Sequence, residues 1–252
     1  MALRAFGRSG VGRRKGGRLR EAVGALAVAA LAAGAVLGGP VGTADAAGPA
    51  GLAGPAGLAG PAGSKGGAKV VYLTFDDGPS PAYTPKILSI LDRYGVRATF
   101  FELGENVAAH PSLTAQVARQ GHSVQNHSWL HPDLRRLSGS SFTAQVGDTD
   151  RVIRARTGHT PTCLRPPYGA VNGTVRSRAA ALGKQVVLWS VDPADWSRPG
   201  AAAIRSRVLN NVRPGSVILL HDGGGDRSQT AAALPTILST LKARGYRFAT
   251  LC

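Results

Sequence analysis

The residues best suited to chemistry fall in a few short stretches. Asp76 and Asp77 end the run Val-Val-Tyr-Leu-Thr-Phe and precede Gly78-Pro79. Adjacent carboxylates repel, and no cation neighbours them in sequence. His127 and His131 stand four positions apart in His-Ser-Trp-Leu-His. On one helical turn they would share a face, as two ligands of a divalent ion do, although Pro132 keeps any such turn brief. Two histidines and a carboxylate leave coordination positions open, which is a catalytic arrangement. One aspartate would then bind the ion while the other takes a proton from water made more acidic by the metal. The plainer alternative is that one aspartate only caps the turn.

Arg165, in Arg-Pro-Pro-Tyr-Gly, either holds a carboxylate ionised or is a surface arginine in a proline-rich turn. His221 closes Val-Ile-Leu-Leu-His, and an imidazole with an ordinary pKa of about 6.5 suits general acid work. In Asp192-Pro-Ala-Asp195-Trp196 an aspartate can orient an imidazole, and Trp196 either stacks on a sugar ring or joins the core. His110, His122 and His159 fall at helix ends or in loops and read as surface residues.

These groups need a scaffold. Strands are expected at 70–75, 98–103, 123–126, 163–165, 186–191, 216–220 and 246–251, from short β-branched or aromatic runs. Helical spacing is expected over 84–94, 113–120, 142–156, 175–182, 204–212 and 231–244. Alternation of the two argues for a parallel α/β sheet. Asp76-Asp77, His127, Arg165, Asp192 and His221 each follow a different strand. Convergence of that many strand ends favours a barrel, whose C-terminal rim carries the active site. Successive strand residues face opposite ways, so the chain must bend at Asp-Asp-Gly-Pro for both carboxylates to reach one pocket.

Residues 1–46 read as an export signal: a basic segment with Arg13, Arg14, Lys15, Arg18 and Arg20, an apolar stretch from Ala22 to Leu37, then Ala44-Asp45-Ala46. An uncleaved anchor is the alternative, and Arg13-Arg14 leaves the export route open. Residues 47–68 repeat Gly-X-Y with glycine at 48, 51, 54, 57, 60, 63 and 66. So short a collagen-like run reads as a flexible linker. Residues 69–252 are then one catalytic domain. Lysine and arginine outnumber aspartate and glutamate 30 to 14. That excess favours anionic surfaces such as acidic wall polymers; no nucleic-acid-binding motif accompanies it. Cys163 and Cys252 are the only cysteines, and in an exported chain they read as one disulfide.

Taken together, Thr-Phe-Asp-Asp, His-Ser-Trp-Leu-His, Arg-Pro-Pro-Tyr, Asp-Pro-Ala-Asp-Trp and Leu-Leu-His resemble the polysaccharide deacetylase family (NodB homology domain, carbohydrate esterase family 4). The resemblance implies a distorted (β/α)7 barrel. It implies that Asp77, His127 and His131 bind one divalent metal, most often zinc, with cobalt or another divalent ion as alternatives. Asp76 would be the base, tethered by Arg165 with Arg97 as a second candidate tether. His221 would be the acid, tuned by Asp195. Trp196 and Leu219 would line the acetyl pocket or groove, and the Tyr168 backbone N–H would help hold an oxyanion.

The implied activity is removal of N-acetyl groups from N-acetylglucosamine polymers, peptidoglycan or chitin oligomers, by a secreted hydrolase with no stable protein partner. Acetylxylan O-deacetylation is the alternative within the family. A non-catalytic wall-glycan-binding module, or a non-haem iron oxygenase using two histidines and a carboxylate, are the rivals from other classes.

Overall fold

The computed structural model describes residues 69–252; the expected export signal and linker lie outside the described residues. Seven strands alternate with helices: β1 (Lys69–Gly78), α1 (Thr84–Arg93), β2 (Thr99–Glu102), α2 (Gly104–Ala109), α3 (Pro111–Arg119), β3 (Ser123–Asn126), α4 (Gly139–Thr157), β4 (Cys163–Leu164), α5 (Gly173–Ala181), β5 (Gln185–Val186), α6 (Ala201–Asn211), β6 (Val217–His221), α7 (Ser228–Ala243) and β7 (Tyr246–Ala249). All strand pairs are parallel, in the order β5-β4-β3-β2-β1-β6. β7 pairs with the first half of β1, through Lys69–Tyr72. The ring closes irregularly: beyond β5, Ser190 and Val191 hydrogen-bond to β6, with Val191 bridging Ile218. This is the distorted α/β barrel that the sequence motifs imply.

Side-chain alternation sorts the strands into two faces. On β1, Val71, Leu73 and Phe75 point outward with Ile218 and Leu220 of β6 and Phe100 of β2. There they pack against α1, α6 and α7 through residues such as Leu88, Ile204 and Leu238. The opposite parity, Tyr72 with Val217 and Phe101, packs inside the barrel with Cys163, Val187 and Leu251. Higher on the same inward face, Thr74, Asp76, Leu219 and His221 reach the C-terminal rim.

The helices show ordinary local causes. Ser138 caps α4 by accepting the Ser141 N–H at 3.1 Å, and Asn172 caps α5 by accepting that of Val175 at 2.9 Å. Proline occupies the first turn of α1 and α3. α2 has no counterpart in the expected elements; at six residues beginning with glycine it is too short to show periodicity. His122 is corrected from surface to buried: its Nδ1 accepts the Ala98 N–H at 3.1 Å and its ring meets Phe100 edge-on. Burial lowers its pKa to about 4, so it stays neutral.

A disulfide joins Cys163 on β4 to Cys252, with Cα atoms 6.2 Å apart and 89 residues of sequence separation. Closing a loop of that length in the unfolded chain is worth about 4–5 kcal/mol in the chain-entropy account. Replacing both cysteines by alanine should lower the unfolding free energy by roughly that amount in denaturant titrations. A double variant as stable as the parent would show that the barrel alone holds the C-terminal segment.

Candidate active site

The carboxylate pair sits on an irregularity of β1. Its register with β2 shifts between Asp76 and Gly78, so that Asp76 faces Phe101 and Gly78 faces Glu102. Asp77 takes φ 70°, a left-handed conformation that aspartate tolerates better than most residues. The bulge re-aims its side chain, so both carboxylates enter one pocket. Behind it, Gly223 lies so close to the Asp77 carbonyl that any Cβ there would overlap it. The Asn106 amide donates to that same carbonyl at 2.9 Å.

Asp76 is buried and receives the Arg165 guanidinium at 2.7 Å. Arg165 is itself fully buried. It also donates to Thr74 Oγ1 at 2.8 Å and to the carbonyls of Val187 and Leu188, and it stacks 4.0 Å from the Phe101 ring centroid. Arg97, the other candidate tether, does not reach the site. It lies before β2 at the opposite end of the barrel, exposed, and its guanidinium donates to the Gln120 carbonyl.

Asp77, His127 and His131 converge, with one potential ligand atom from each lying within 4.8 Å of the others. Asp77 Oδ1 is 3.4 Å from His127 Nε2 and 3.5 Å from His131 Nε2. Tetrahedral coordination with bonds of about 2.0–2.1 Å would space its ligand atoms by about 3.4 Å. His127 Nδ1 lies 2.7 Å from the Arg165 carbonyl and donates to it, leaving Nε2 as the free lone pair. Asp77 Oδ1 is buried with no hydrogen-bond partner. A buried carboxylate oxygen without a donor, facing two imidazole nitrogens, fits a divalent cation.

The electrostatics agree. Burial alone would raise the Asp77 carboxyl, but the neighbouring His127, with His221 and His131, holds it well below the usual carboxylate range. Burial pushes His127 down, and the nearby carboxylates of Asp76 and Asp77 more than offset it. The field that draws a proton to His127 equally favours a cation between the three residues. The histidines do not lie on a helix. Ser128 and His131 have φ of 70° and 60°, making an irregular turn that brings the rings to 5.0 Å.

Across the rim, His221 Nδ1 lies 2.7 Å from Asp195 Oδ1, and the His221 N–H donates to Asp195 Oδ2 at 2.9 Å. Thr230 Oγ1 also donates to Asp195 Oδ2, at 2.7 Å. Burial lowers His221, but its Asp195 partner, followed by Asp76 and Asp77, raises it above the ordinary histidine value. Asp192 is exposed and caps its own turn by accepting the Ala194 N–H at 2.7 Å. Leu219 is buried on the inward face of β6. Tyr168 (φ 61°) lays its ring 4.4 Å from that of His131, and Tyr168 and Trp196 are 69% and 56% exposed. So much exposed aromatic surface beside a polar pocket suits a sugar ring.

Sequence reasoning missed Thr74, Thr230 and Asn106, whose residue types carry no signal without the fold. It also passed over two buried carboxyls, Glu102 and Asp222. Burial raises Glu102 to about 8; burial and the charges of Asp77 and Asp76 raise Asp222 to about 7. Asp222 accepts the Thr84 hydroxyl at 2.5 Å.

The polysaccharide deacetylase family model matches residues 63–187. A peptidoglycan-N-acetylglucosamine deacetylase of Bacillus cereus is 42% identical over 185 residues, 73% of this chain and 86% of that protein. A chitooligosaccharide deacetylase of Sinorhizobium fredii is 43% identical over 195 residues, 71% of this chain and 89% of the relative. The crystal structure of the Bc1960 peptidoglycan N-acetylglucosamine deacetylase superposes with a TM-score of 0.71 at 39% identity, covering 73% of this chain and 86% of that one.

The geometry separates the two aspartates. Asp77→Ala and His131→Ala should each abolish stoichiometric divalent metal in metal analysis of the purified protein, whereas Asp76→Asn should keep close to one ion per chain. Loss of the ion from Asp76→Asn alone would mean the aspartates are assigned the wrong way round.

Proposed function

Because the chain belongs to the polysaccharide deacetylase family, we propose that it hydrolyses the acetamido groups of N-acetylglucosamine-containing glycans, peptidoglycan or chitin oligomers, releasing acetate. The observation that carries this reading is the placement of an arginine-held carboxylate and an aspartate-held imidazole on neighbouring strands. Asp76 and His221 are register partners across β1 and β6, with a cation-binding trio beside them. The named activities of the relatives, peptidoglycan-N-acetylglucosamine and chitooligosaccharide deacetylation, support the substrate class. The signal-like sequence and the basic balance support work outside the cell on an anionic wall.

Asp77, His127 and His131 would hold one divalent ion, zinc by the fit of its nitrogen and oxygen donors. That ion supplies Lewis acidity toward the acetyl carbonyl and lowers the pKa of water. The chain's own residues do the rest. Asp76, held by Arg165, takes the proton from the attacking water. The Asp195 contact fixes the His221 tautomer, so its other nitrogen can give a proton to the leaving sugar amine. An amine is too basic to depart unprotonated, so this acid is required for amide cleavage. The Tyr168 N–H stabilises the developing oxyanion, while Trp196 and the Tyr168 ring flank the sugar and Leu219 floors the acetyl pocket.

Acetate release should be measured on chitin oligomers, de-O-acetylated peptidoglycan and acetylxylan, with and without a chelator. Chelator-sensitive release from the first two is expected. Release from acetylxylan alone would move the activity to ester cleavage, and glycan binding without acetate would make the chain a binding module. Asp76→Asn should lower kcat by about 10²–10⁴, the usual worth of a general base.

The pH profile gives an independent check. A general acid works while protonated, and the carboxylates around His221 keep its proton on to higher pH. Activity should therefore fall on an alkaline limb centred above the ordinary histidine value of 6.5. Asp195→Asn removes the largest of the raising effects, so the limb should move to lower pH. An unmoved limb would assign it to another group.

A further inference from the structure

His127 and His131 are held in different ways. The His127 ring is fixed by its own hydrogen bond to the Arg165 carbonyl. For His131, among the described residues, no hydrogen bond fixes Nδ1; its ring is placed by the turn that carries it and by the Tyr168 ring packed edge-on against it. That turn is strained: Ser128 and His131 both have φ in the left-handed region, at about 1–2 kcal/mol each for a residue with a Cβ. Such a conformation persists only where its surroundings over-determine it.

The surroundings do so through backbone N–H groups. The side-chain carbonyl of Gln145, in the middle of α4, accepts both the Trp129 N–H at 3.0 Å and the Leu130 N–H at 2.9 Å. Asn126 Oδ1 accepts the Ser128 N–H at 2.8 Å, and Ser128 Oγ accepts that of His131 at 3.2 Å. Asn126 is anchored in turn, its amide donating to the Val146 carbonyl at 2.9 Å and to Asp150 Oδ1 at 2.8 Å. Asp150 is paired with the buried Lys184. Gln145 alone among these acceptors takes the N–H groups of the two middle residues, directly before His131, while the Glu105 N–H donates to the Trp129 carbonyl at 3.3 Å. Gln145 is half-buried, between the exposed Ala144 and the buried Val146.

We propose that Gln145 is a positioning residue for the metal ligand His131, acting through its bifurcated acceptor on the Trp129–Leu130 backbone. This inference rests on the assignment of Asp77, His127 and His131 as the metal site. Its chemical requirement is narrow: an acceptor oxygen at the end of a side chain of this length. Glutamate meets it and leucine does not.

The test is the zinc dissociation constant of the full chain, measured by competition with a chromophoric chelator for the parent, Gln145→Leu and Gln145→Glu. The absorption spectrum of the cobalt-substituted forms is recorded alongside. Gln145→Leu should weaken zinc binding by about 10–100-fold, the usual effect of losing an outer support of a ligand, and should alter the cobalt spectrum. Gln145→Glu should bind zinc no more weakly than the parent. Gln145→Met, unbranched and of similar length, gives the same comparison if the leucine variant does not fold. Equal zinc affinity in the parent and the acceptor-less variants overturns this inference, as does a glutamate variant as weak as leucine. A parent chain that binds no zinc overturns the metal site itself, so the two failures are distinct.

Discussion

The buried contact between Arg165 and Asp76 constrains everything around it. Taking a guanidinium and a carboxylate out of water costs several kcal/mol per ion, recovered only when geometry and further hydrogen bonds are both good. Here the recovery draws on three other parts of the chain. Thr74 of β1 accepts from the guanidinium, the carbonyls of Val187 and Leu188 take two more of its N–H groups, and the Phe101 ring of β2 covers its face. The Arg165 carbonyl meanwhile orients His127. One residue thus holds the Asp76 carboxylate and sets the direction of His127, so the proposed base and the proposed cation site cannot drift apart.

The barrel interior is layered accordingly. Its lower part is apolar, with Phe101, Val187, Leu251 and the half-cystine Cys163 packed together. Its upper part is ionic. The apolar layer excludes water beneath Arg165, which strengthens each charge–charge contact above it. On the outer face of β2, where Glu102 accepts the Thr114 hydroxyl of α3, burial raises the Glu102 pKa to about 8 and keeps it uncharged at neutral pH. The bulge itself resolves the repulsion between adjacent aspartates by separating their partners: an arginine for Asp76, two imidazoles for Asp77.

Much of this was legible in the sequence, because strand alternation and motif spacing are local properties. Six of the seven strands, the helices other than α2 and the convergence on the rim follow from hydrophobic period and residue type; the fifth strand, expected at 186–191, is only Gln185–Val186, with Val191 making an isolated bridge. What escaped depended on contacts between distant segments. The spacing of His127 and His131 suggested a helical turn; Asn126 and Gln145 instead hold an irregular one, and nothing in either residue type announces that. Arg97 stands beside a strand in sequence but at its N-terminal end, so the barrel carries it to the far rim. His122 looked like a surface loop residue because the Phe100 ring that covers it is contributed by another strand. Thr230 braces Asp195 across 35 residues, a relationship that neither residue discloses alone.

β1 pairs with β2, β6 and β7, and among the described residues is the only strand with three partners. Two of those come from the end of the chain: Lys69 faces Tyr246 and Asp76 faces His221. The first strand of the domain to be synthesised is therefore the last to be completed. Until β6 and β7 arrive, one edge of β1 and the first half of the other offer bare amide and carbonyl groups, a template for pairing with other chains. Contacts of such long sequence separation also fold slowly. A growing chain of this design cannot finish its barrel piecemeal; it must be kept from aggregating until its final strands are available.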